Sequence, residues 1–174
     1  DDTHIMGLST NVAFLGRLLR CEAFVDANLD TGLIAKNEDA LLGQDTSVEL
    51  TDLAFLLAQR LSLDEENAQF AGREVNSPWQ RQDGWRMNKS SSRTFSFVLE
   101  GSADIHSLHY RYQDKTISYA DRIAKFSYQK QGNTIQLFLD GVQATASIKS
   151  HPVHLNAFHL FRKGRHQVWN YQDP

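Results

Sequence analysis

Histidine is the residue type in this sequence that most suggests metal chemistry, because six of its seven copies lie between positions 106 and 166. Imidazole nitrogen binds zinc and other transition metals, and a structural zinc site holds four ligands in a tetrahedron. The six residues are His106, His109, His151, His154, His159 and His166. Spacings of three and five residues place neighbouring histidines on opposite faces of a strand, and cysteine is absent from this half. We therefore expect no metal site.

Other reaction chemistries also lack their characteristic patterns. The chain contains no glycine-rich phosphate loop, no nucleophile elbow and no HExxH motif. Glu65 and Glu66 are adjacent acids, which a solvated helix face explains better than a general acid and base. Cys21 is the single cysteine. It excludes an internal disulfide, fits a reducing compartment, and in its amphipathic surroundings is expected to be a buried thiol. We expect no catalytic or cofactor-binding residue.

Two tryptophans in a polar connector are the residues best suited to contacting a partner. Residues 73–94 read REVNSPWQRQDGWRMNKSSSRT, in which Pro78 and Gly84 mark turns. Trp79 and Trp85 are costly to expose in such a loop. Either their rings fold back onto the core of this chain, or they anchor another protein, since tryptophan and arginine are enriched among interface hot spots.

The connector follows a segment that predicts one long helix over residues 47–71. Thr46 and Glu49 have the spacing of a capping box, and Gly72 suits a position just past a helix end. Its apolar residues form two opposite stripes, of which one contains Leu50, Leu53, Ala54, Leu57 and Leu61 and the other Val48, Phe55, Leu56 and Leu63. Asp52 and Gln59 interrupt the second stripe and need hydrogen bonds or water. Both faces therefore require cover, and the charges along the segment exclude a membrane span.

The remainder, residues 93–171, predicts about eight short strands separated by turn signals such as Asp140-Gly141 and Lys163-Gly164. Apolar residues alternate in Phe95, Phe97 and Leu99; in Ile135, Leu137 and Leu139; in Val142, Ala144, Ala146 and Ile148; and in Val153, Leu155, Ala157 and Phe161. A helix between two layers is one way to cover the long helix. We favour an antiparallel barrel around it, because eight strands close into a barrel of suitable width and small residues such as Ala144, Ala146 and Ala157 leave room.

The predicted fold class is therefore α+β, with a long central helix surrounded by an about eight-stranded antiparallel β-barrel and preceded by a short helical segment. Residues 1–43 are α-rich and too few for a convincing core, so they should belong to a larger domain. A net charge of −3 on 174 residues, with scattered basic residues, does not support nucleic-acid binding. A free-standing barrel that binds a small apolar ligand is the alternative, although a lumenal helix would compete for the space.

Three parts of the sequence resemble the biotin-bearing α subunits of acyl-CoA carboxylases. THIMGLSTNVAFLGRLLRCEAFVDANLDTGLIAK, residues 3–36, is similar to the end of their biotin carboxylase domain. SPWQRQDGWRMN, residues 77–88, resembles the connector of 3-methylcrotonyl-CoA carboxylase and of the related geranyl-CoA carboxylase. GVQATASI and FHLFRKGRHQVWN resemble the closing strands of the same region. The resemblance covers most of the chain, and the first two motifs are the more specific ones.

The resemblance implies that residues 1–43 are the C-terminal tail of a biotin carboxylase domain and residues 44–174 a mediating domain, called BT. In that family the BT domain docks biotin carboxylase onto the carboxyltransferase β subunit, and its connector forms a hook onto this partner. The hook would span residues 75–88 here. The implied contact residues are Pro78, Trp79, Asp83, Trp85 and Arg86.

For the parent enzyme the resemblance implies a biotin-dependent ligase of leucine degradation that uses biotin, ATP and Mg or Mn. Its ATP-binding and biotin-carrying segments would lie before Asp1 and after Pro174, in the biotin carboxylase and biotin carrier domains of the same chain. These 174 residues should themselves hold neither cofactor. The parent would be cytoplasmic in a bacterium and would lie in the mitochondrial matrix of a eukaryote.

Overall fold

The computed structural model describes residues 12–27, 32–37, 47–70, 92–151, 153–154 and 156–172. The helices are α1 (Val12–Leu18), α2 (Glu22–Val25), α3 (Leu33–Lys36) and α4 (Leu50–Phe70). The strands are β1 (Ser92–Leu99), β2 (Ile105–Arg111), β3 (Thr116–Tyr119), β4 (Arg122–Gln131), β5 (Thr134–Leu139), β6 (Val142–Ser150), β7 (Ala157–Arg162) and β8 (Arg165–Gln172). None of the described helices is long and apolar enough to cross a membrane.

The eight strands form a closed antiparallel barrel in which each strand pairs with the next in sequence and β8 pairs with β1. Two tight turns show why neighbouring strands pair so directly. Asp140 and Gly141 both have positive φ, 50° and 83°, and so do Lys163 and Gly164, at 50° and 74°. Two successive residues of this kind give the turn whose twist matches that of the flanking strands. The predicted fold class is confirmed.

Helix α4 begins at Leu50, three residues later than the predicted start. The backbone N–H of Glu49 donates to the Asp52 carboxylate at 3.3 Å, and the carbonyl of Glu49 accepts from the N–H of Asp52 and of Leu53. Glu49 is therefore the capping residue, and Asp52, at the third helical position, reaches back to it. Thr46, the other half of the predicted capping box, lies outside the described residues.

Both faces of α4 are buried inside the barrel, as the two apolar stripes predicted. Every residue from Leu53 to Ala58 is fully buried. The backbone of α4 lies nearest to strands β4 to β7, where Ala144 and Ala146 face it with small side chains. The space toward β1, β2 and β8 is wider and is filled by larger side chains, namely Phe95, Phe97, Leu108, Tyr110, Trp169 and Tyr171. The small residues that face the helix thus stand on β6, and aromatic residues fill much of the wider space on the other side.

The predicted inward face of β7 was wrong by one residue. Phe158 is fully buried in the core beside its cross-strand partner Trp169, whereas Ala157 pairs with the exposed Asn170 and belongs to the outer face, as does Phe161. The strand begins only at Ala157, because the N–H of this residue bonds to the carbonyl of His154 in a turn. Alternation counted from the exposed Val153 therefore does not extend into β7. Leu155 lies outside the described residues.

The short helices α1 to α3 leave apolar side chains in contact with solvent. Leu33 is buried, but the exposed side chains include Leu15, Leu19, Val25 and Ile34. Cys21 is partly exposed rather than buried, because it precedes α2 at the junction between two short helices. The expectation that residues 1–43 belong to a larger domain stays a prediction.

Enlarging a small residue that faces α4 should destabilise the barrel. Ala146 is 4% exposed and lies opposite Ile135 of β5. Ala146→Leu should lower the free energy of unfolding by about 1–3 kcal/mol, because the added atoms must displace the helix or the wall. Urea denaturation measures the loss. Thr145→Leu, on the exposed outer face of the same strand, is the matched control and should change stability by less than about 0.5 kcal/mol. Equal stability of the two variants would contradict tight packing between α4 and β6.

Candidate functional site

The five residues predicted to contact a partner lie in the connector between α4 and β1, outside the described residues. They are Pro78, Trp79, Asp83, Trp85 and Arg86. The structure describes the two ends between which this connector runs, Phe70 and Ser92. The way those ends are held determines where the connector leaves the barrel.

The last turns of α4 and the start of β1 are joined by charged side chains. Arg93 Nη1 lies 2.9 Å from Asp64 Oδ2, and Arg60 Nη2 lies 2.8 Å from Asp64 Oδ1. The Asp64 side chain is only 12% exposed, so its two oxygens bind both guanidinium groups in a partly buried setting. Arg93 also donates to the Tyr171 hydroxyl at 3.2 Å. These bonds connect helix, first strand and last strand at one end of the barrel.

Aromatic rings pack against the guanidinium groups of the same two arginines. The guanidinium carbon of Arg60 lies 4.7 Å from the ring centre of Tyr171, and that of Arg93 lies 4.7 Å from the ring centre of Phe95. Such cation–π contacts contribute about 0.5–1 kcal/mol at exposed sites and more when water is excluded. The last turns of α4 and the start of β1, which we call the two roots of the connector, are thereby fixed to the core and to each other.

An open cleft of about 950 Å³ adjoins this end of the barrel. It arises because β3 has four residues and pairs with β4 only as far as Lys125, which leaves the rest of β4 uncovered on that side. Tyr110, Tyr112, Phe126 and Tyr128 line it, with Tyr110 and Tyr112 packed edge to face at 4.7 Å. Burial, followed by the nearby Tyr112, raises the pKa of Tyr110 to about 12, so this phenol is neutral at physiological pH.

In the part of the chain that the structure describes, the lumen of the barrel is occupied by α4. Leu53, Phe55 and Leu57 are fully buried there, which leaves no lipocalin-like chamber for an apolar ligand. The cleft beside Tyr110 is open at one end of the barrel and is no substitute for such a chamber. The helix therefore takes the place that a ligand has in barrels of this size.

A cluster of four charged side chains fixes the opposite, N-terminal end of α4. Arg162 Nε donates to Asp52 Oδ1 at 2.7 Å, and Arg162 Nη2 donates to Glu49 Oε2. The side chains of Asp52 and Arg162 are 1% and 5% exposed. Arg165 Nη2 lies 3.5 Å from a carboxylate oxygen of each acid. Two positive and two negative groups thus compensate one another, and the acids stand at the helix N-terminus, where its dipole favours negative charge.

The sequence indicated only half of this cluster. Asp52 was expected to need a hydrogen-bond partner, and so was Gln59, which donates to Ser150 Oγ at 3.2 Å. Arg162 was missed because the inward face of β7 was misplaced by one residue. With the correct alternation, a charged residue at an inward position beside the β7–β8 turn is the signal that would have found it.

Removing the buried guanidinium should destabilise the fold strongly. Arg162→Met removes the closest partner of the buried Asp52 carboxylate and leaves it only the more distant Arg165, which should cost about 3–5 kcal/mol in urea denaturation. The double variant Asp52→Leu, Arg162→Met should recover much of that loss, because no charge is then left uncompensated. Arg111→Met is the control, since the pair of Arg111 with Asp114 is about half exposed and should contribute less than about 1 kcal/mol. A mild effect of Arg162→Met would contradict this prediction and show that Arg165 or water compensates the Asp52 carboxylate.

Glu49 should make stability depend on acid pH. The hydrogen bond from Arg162 lowers the pKa of Glu49 in the folded chain, so its contribution is complete above about pH 4.5 and is lost as the pH falls below it. Glu49→Gln should therefore show a weaker fall in melting temperature between pH 5 and pH 3 than the parent chain. Asp121→Asn, in the exposed β3–β4 turn, controls for the loss of one surface carboxylate.

The histidines follow the spacing argument in one region and depart from it in another. His106 is half-buried and bonded to the Tyr119 hydroxyl at 2.7 Å, while His109 is exposed, so these two lie on opposite faces as expected. The prediction was wrong for His151 and His154, whose rings are 4.9 Å apart, because both lie in the β6–β7 connection rather than in a strand. Among the described residues, no group of three or more His, Cys, Asp or Glu side chains is arranged to hold a metal ion.

These features define the described domain as a helix-filled β-barrel that holds the end of α4 and the start of β1 together, between which the connector runs. A family model described as "Methylcrotonyl-CoA carboxylase, alpha-subunit, BT domain" matches residues 51–173, which include all of α4 except Leu50, the connector and all eight strands. The chain belongs to this family, and the resemblance seen in the sequence is confirmed.

One relative gives the same assignment. The chain is similar to the mitochondrial methylcrotonoyl-CoA carboxylase subunit alpha of Dictyostelium discoideum, with 33% identity over 97 residues. The aligned segment is 56% of this chain and 14% of that protein. The chain therefore corresponds to a small part of the curated relative it matches.

Proposed function

We propose that this chain is the docking domain that joins biotin carboxylase to the carboxyltransferase β subunit in a biotin-dependent 3-methylcrotonyl-CoA carboxylase. The observation that carries the proposal is the family match over residues 51–173, since it spans the barrel and the connector together. In this function the barrel performs no chemistry. It serves as a rigid base that presents one connector in a defined place.

The contacts at the two roots of the connector support this role. Asp64 near the end of α4 and Arg93 at the start of β1 are bonded at 2.9 Å, and Tyr171 of the last strand joins them. A binding loop whose ends are fixed loses less conformational entropy on association than one whose ends move freely. Loops on rigid scaffolds are also where binding residues concentrate.

Within the connector, the hook over residues 75–88 is the proposed contact with the β subunit. Large aromatic and arginine side chains supply most of the free energy at typical interfaces, and turn residues set their positions. The residues proposed to make the contact are Pro78, Trp79, Asp83, Trp85 and Arg86. The polar sequence around the tryptophans favours an external partner over further packing in a core that α4 already fills.

The remaining assignments concern the parent protein. Residues 1–43 are proposed to complete a biotin carboxylase domain, which would cover the exposed Leu15, Leu19 and Val25. The parent is proposed to carry biotin on a carrier domain and to use ATP with Mg or Mn. We propose that these 174 residues themselves bind none of the three. A geranyl-CoA or other acyl-CoA carboxylase is the alternative parent, since the acyl pocket belongs to the β subunit. The relative is mitochondrial by name, and a matrix location is proposed for a eukaryotic parent and a cytoplasmic one for a bacterial parent.

Association with the carboxyltransferase β subunit should depend on the two tryptophans. In sedimentation velocity the unsubstituted 174-residue chain should form a complex with the β subunit. The double variant Trp79→Ala, Trp85→Ala should form no complex at the same concentrations. Each truncation should cost about 2 kcal/mol or more, which is about a 30-fold increase in Kd. Ile123→Ala is the matched control, because it removes a large apolar side chain that is 64% exposed on the barrel wall.

Two outcomes would contradict the proposal. If the correctly folded, unsubstituted 174-residue chain did not bind the β subunit, the proposed docking function would be wrong. Parental affinity in the double tryptophan variant would instead retain docking and move the contact away from the hook. Circular dichroism of each variant, compared with the parent, establishes that the barrel is intact in every binding measurement.

A further inference from the structure

Four histidine rings and one phenylalanine form a continuous row on the outer surface of the barrel. Phe161 stacks on His166 at 4.4 Å between ring centres, and the nearly parallel rings of His166 and His159 have their centres 5.2 Å apart, joined by a hydrogen bond between their nitrogens. His159 stacks on His151 at 5.5 Å, and the ring of His151 lies 4.9 Å from that of His154. The row therefore links β8 and β7 to the β6–β7 connection, in which His151, Val153, His154 and Asn156 are described.

The ring of His151 holds the backbone of this connection. Its Nδ1 accepts hydrogen bonds from the backbone N–H of Val153 at 3.2 Å and of His154 at 3.1 Å. Only an imidazole with a lone pair on Nδ1 can accept, so the proton of the neutral ring must be on Nε2. A proton on Nδ1 would turn this nitrogen into a donor that faces the two N–H donors, and both hydrogen bonds would be lost. The connection is consequently tied to one protonation state of one side chain.

His159, at the centre of the row, is in a place that disfavours the protonated, positively charged ring. It is 5% exposed, and its Nε2 has no hydrogen-bond partner among the described residues. Its Nδ1 lies 3.0 Å from His166 Nε2, a bond that needs a proton on one of the two nitrogens. One added proton on this pair can leave the bond intact. Two would set a donor against a donor and place a second positive charge next to the first.

The surroundings of His159 add mostly positive charge. Lys149 on β6 is its cross-strand partner, His166 faces it from β8, and His151 faces it from the connection. Glu100, in the turn after β1, is the nearby acid that favours protonation. Burial, followed by the influence of His151, outweighs this acid and lowers the pKa of His159. The folded chain therefore prefers the neutral ring more than the unfolded chain does.

We propose that this row is an acid-sensitive latch, in which uncharged imidazoles hold the β6–β7 connection against the barrel and protonation releases it. Because the folded state disfavours the charged form of His159, its contribution is complete above the ordinary histidine pKa. It declines as the pH falls through and below that value. The connection opens locally, since α4 and the buried pair of Asp52 and Arg162 lie on the inner side of the barrel wall.

Amide hydrogen exchange, corrected for the intrinsic pH dependence of the exchange rate, tests the latch on the 174-residue chain. The protection of the Val153 and His154 amides should fall about tenfold between pH 7.5 and pH 5.5, because protonation of Nδ1 removes the acceptor of both hydrogen bonds. Protection of amides in the β4–β5 ladder should change far less over the same range. Equal protection of Val153 and His154 at the two pH values would overturn the proposal.

Two variants separate the latch from a general loss of stability in acid. In His151→Asn the side-chain oxygen can accept from the same two N–H groups without titrating, so protection should persist at pH 5.5. His109→Asn is the matched control, because it removes an exposed outer-face histidine that is bonded to Thr94 Oγ1 and should keep the parental pH dependence. Parental loss of protection in His151→Asn would overturn the proposal. His159→Phe, which keeps a flat ring but cannot be charged, should move the loss to lower pH if the asparagine variant does not fold.

Discussion

The structure depends on one requirement, which is that a helix apolar on two opposite faces must be enclosed on all sides. A single sheet or a second helix covers one face only, whereas a closed wall of eight strands covers both. Enclosure in turn decides which side chains line the wall. Alanines stand where α4 approaches β6, and aromatic rings fill the wider space toward β1 and β8. The interior of the barrel is therefore filled by α4 and the side chains packed around it.

Charged side chains add a directional constraint to the position that apolar packing gives the helix. Leucine and phenylalanine contacts bury α4 on all sides, and ion pairs hold it at both ends. The cluster around Arg162 fixes one end of α4 and the Asp64–Arg93 pair fixes the other, so the helix has a defined axial position. Buried ion pairs often contribute little net stability. Here their geometry determines where the connector between Phe70 and Ser92 leaves the barrel.

Periodicity in the sequence was sufficient for the fold, because alternation at two residues and at 3.6 residues reports burial directly. The two stripes of α4 and the alanines of β6 were predicted on that basis. The prediction from alternation failed at β7, because a turn at His154 changes which residues of the strand face inward. The roots of the connector could not be predicted, since Asp64 and Arg93 are 29 residues apart and no local pattern relates them. For the same reason the histidine row was missed, as it depends on strand pairing and on the turn.

The pair between Asp52 and Arg162 also has a consequence for how the chain acquires its structure. Its two members are 110 residues apart, and closure of the wall needs β8, which ends at Gln172, to pair with β1. Contacts of such long range form late, because the loop-closure entropy must be overcome first. During synthesis on the ribosome α4 emerges long before its enclosure is complete, with both apolar faces unprotected. Until β8 pairs with β1, the apolar faces of α4 therefore lack their full enclosure and are open to non-native contacts.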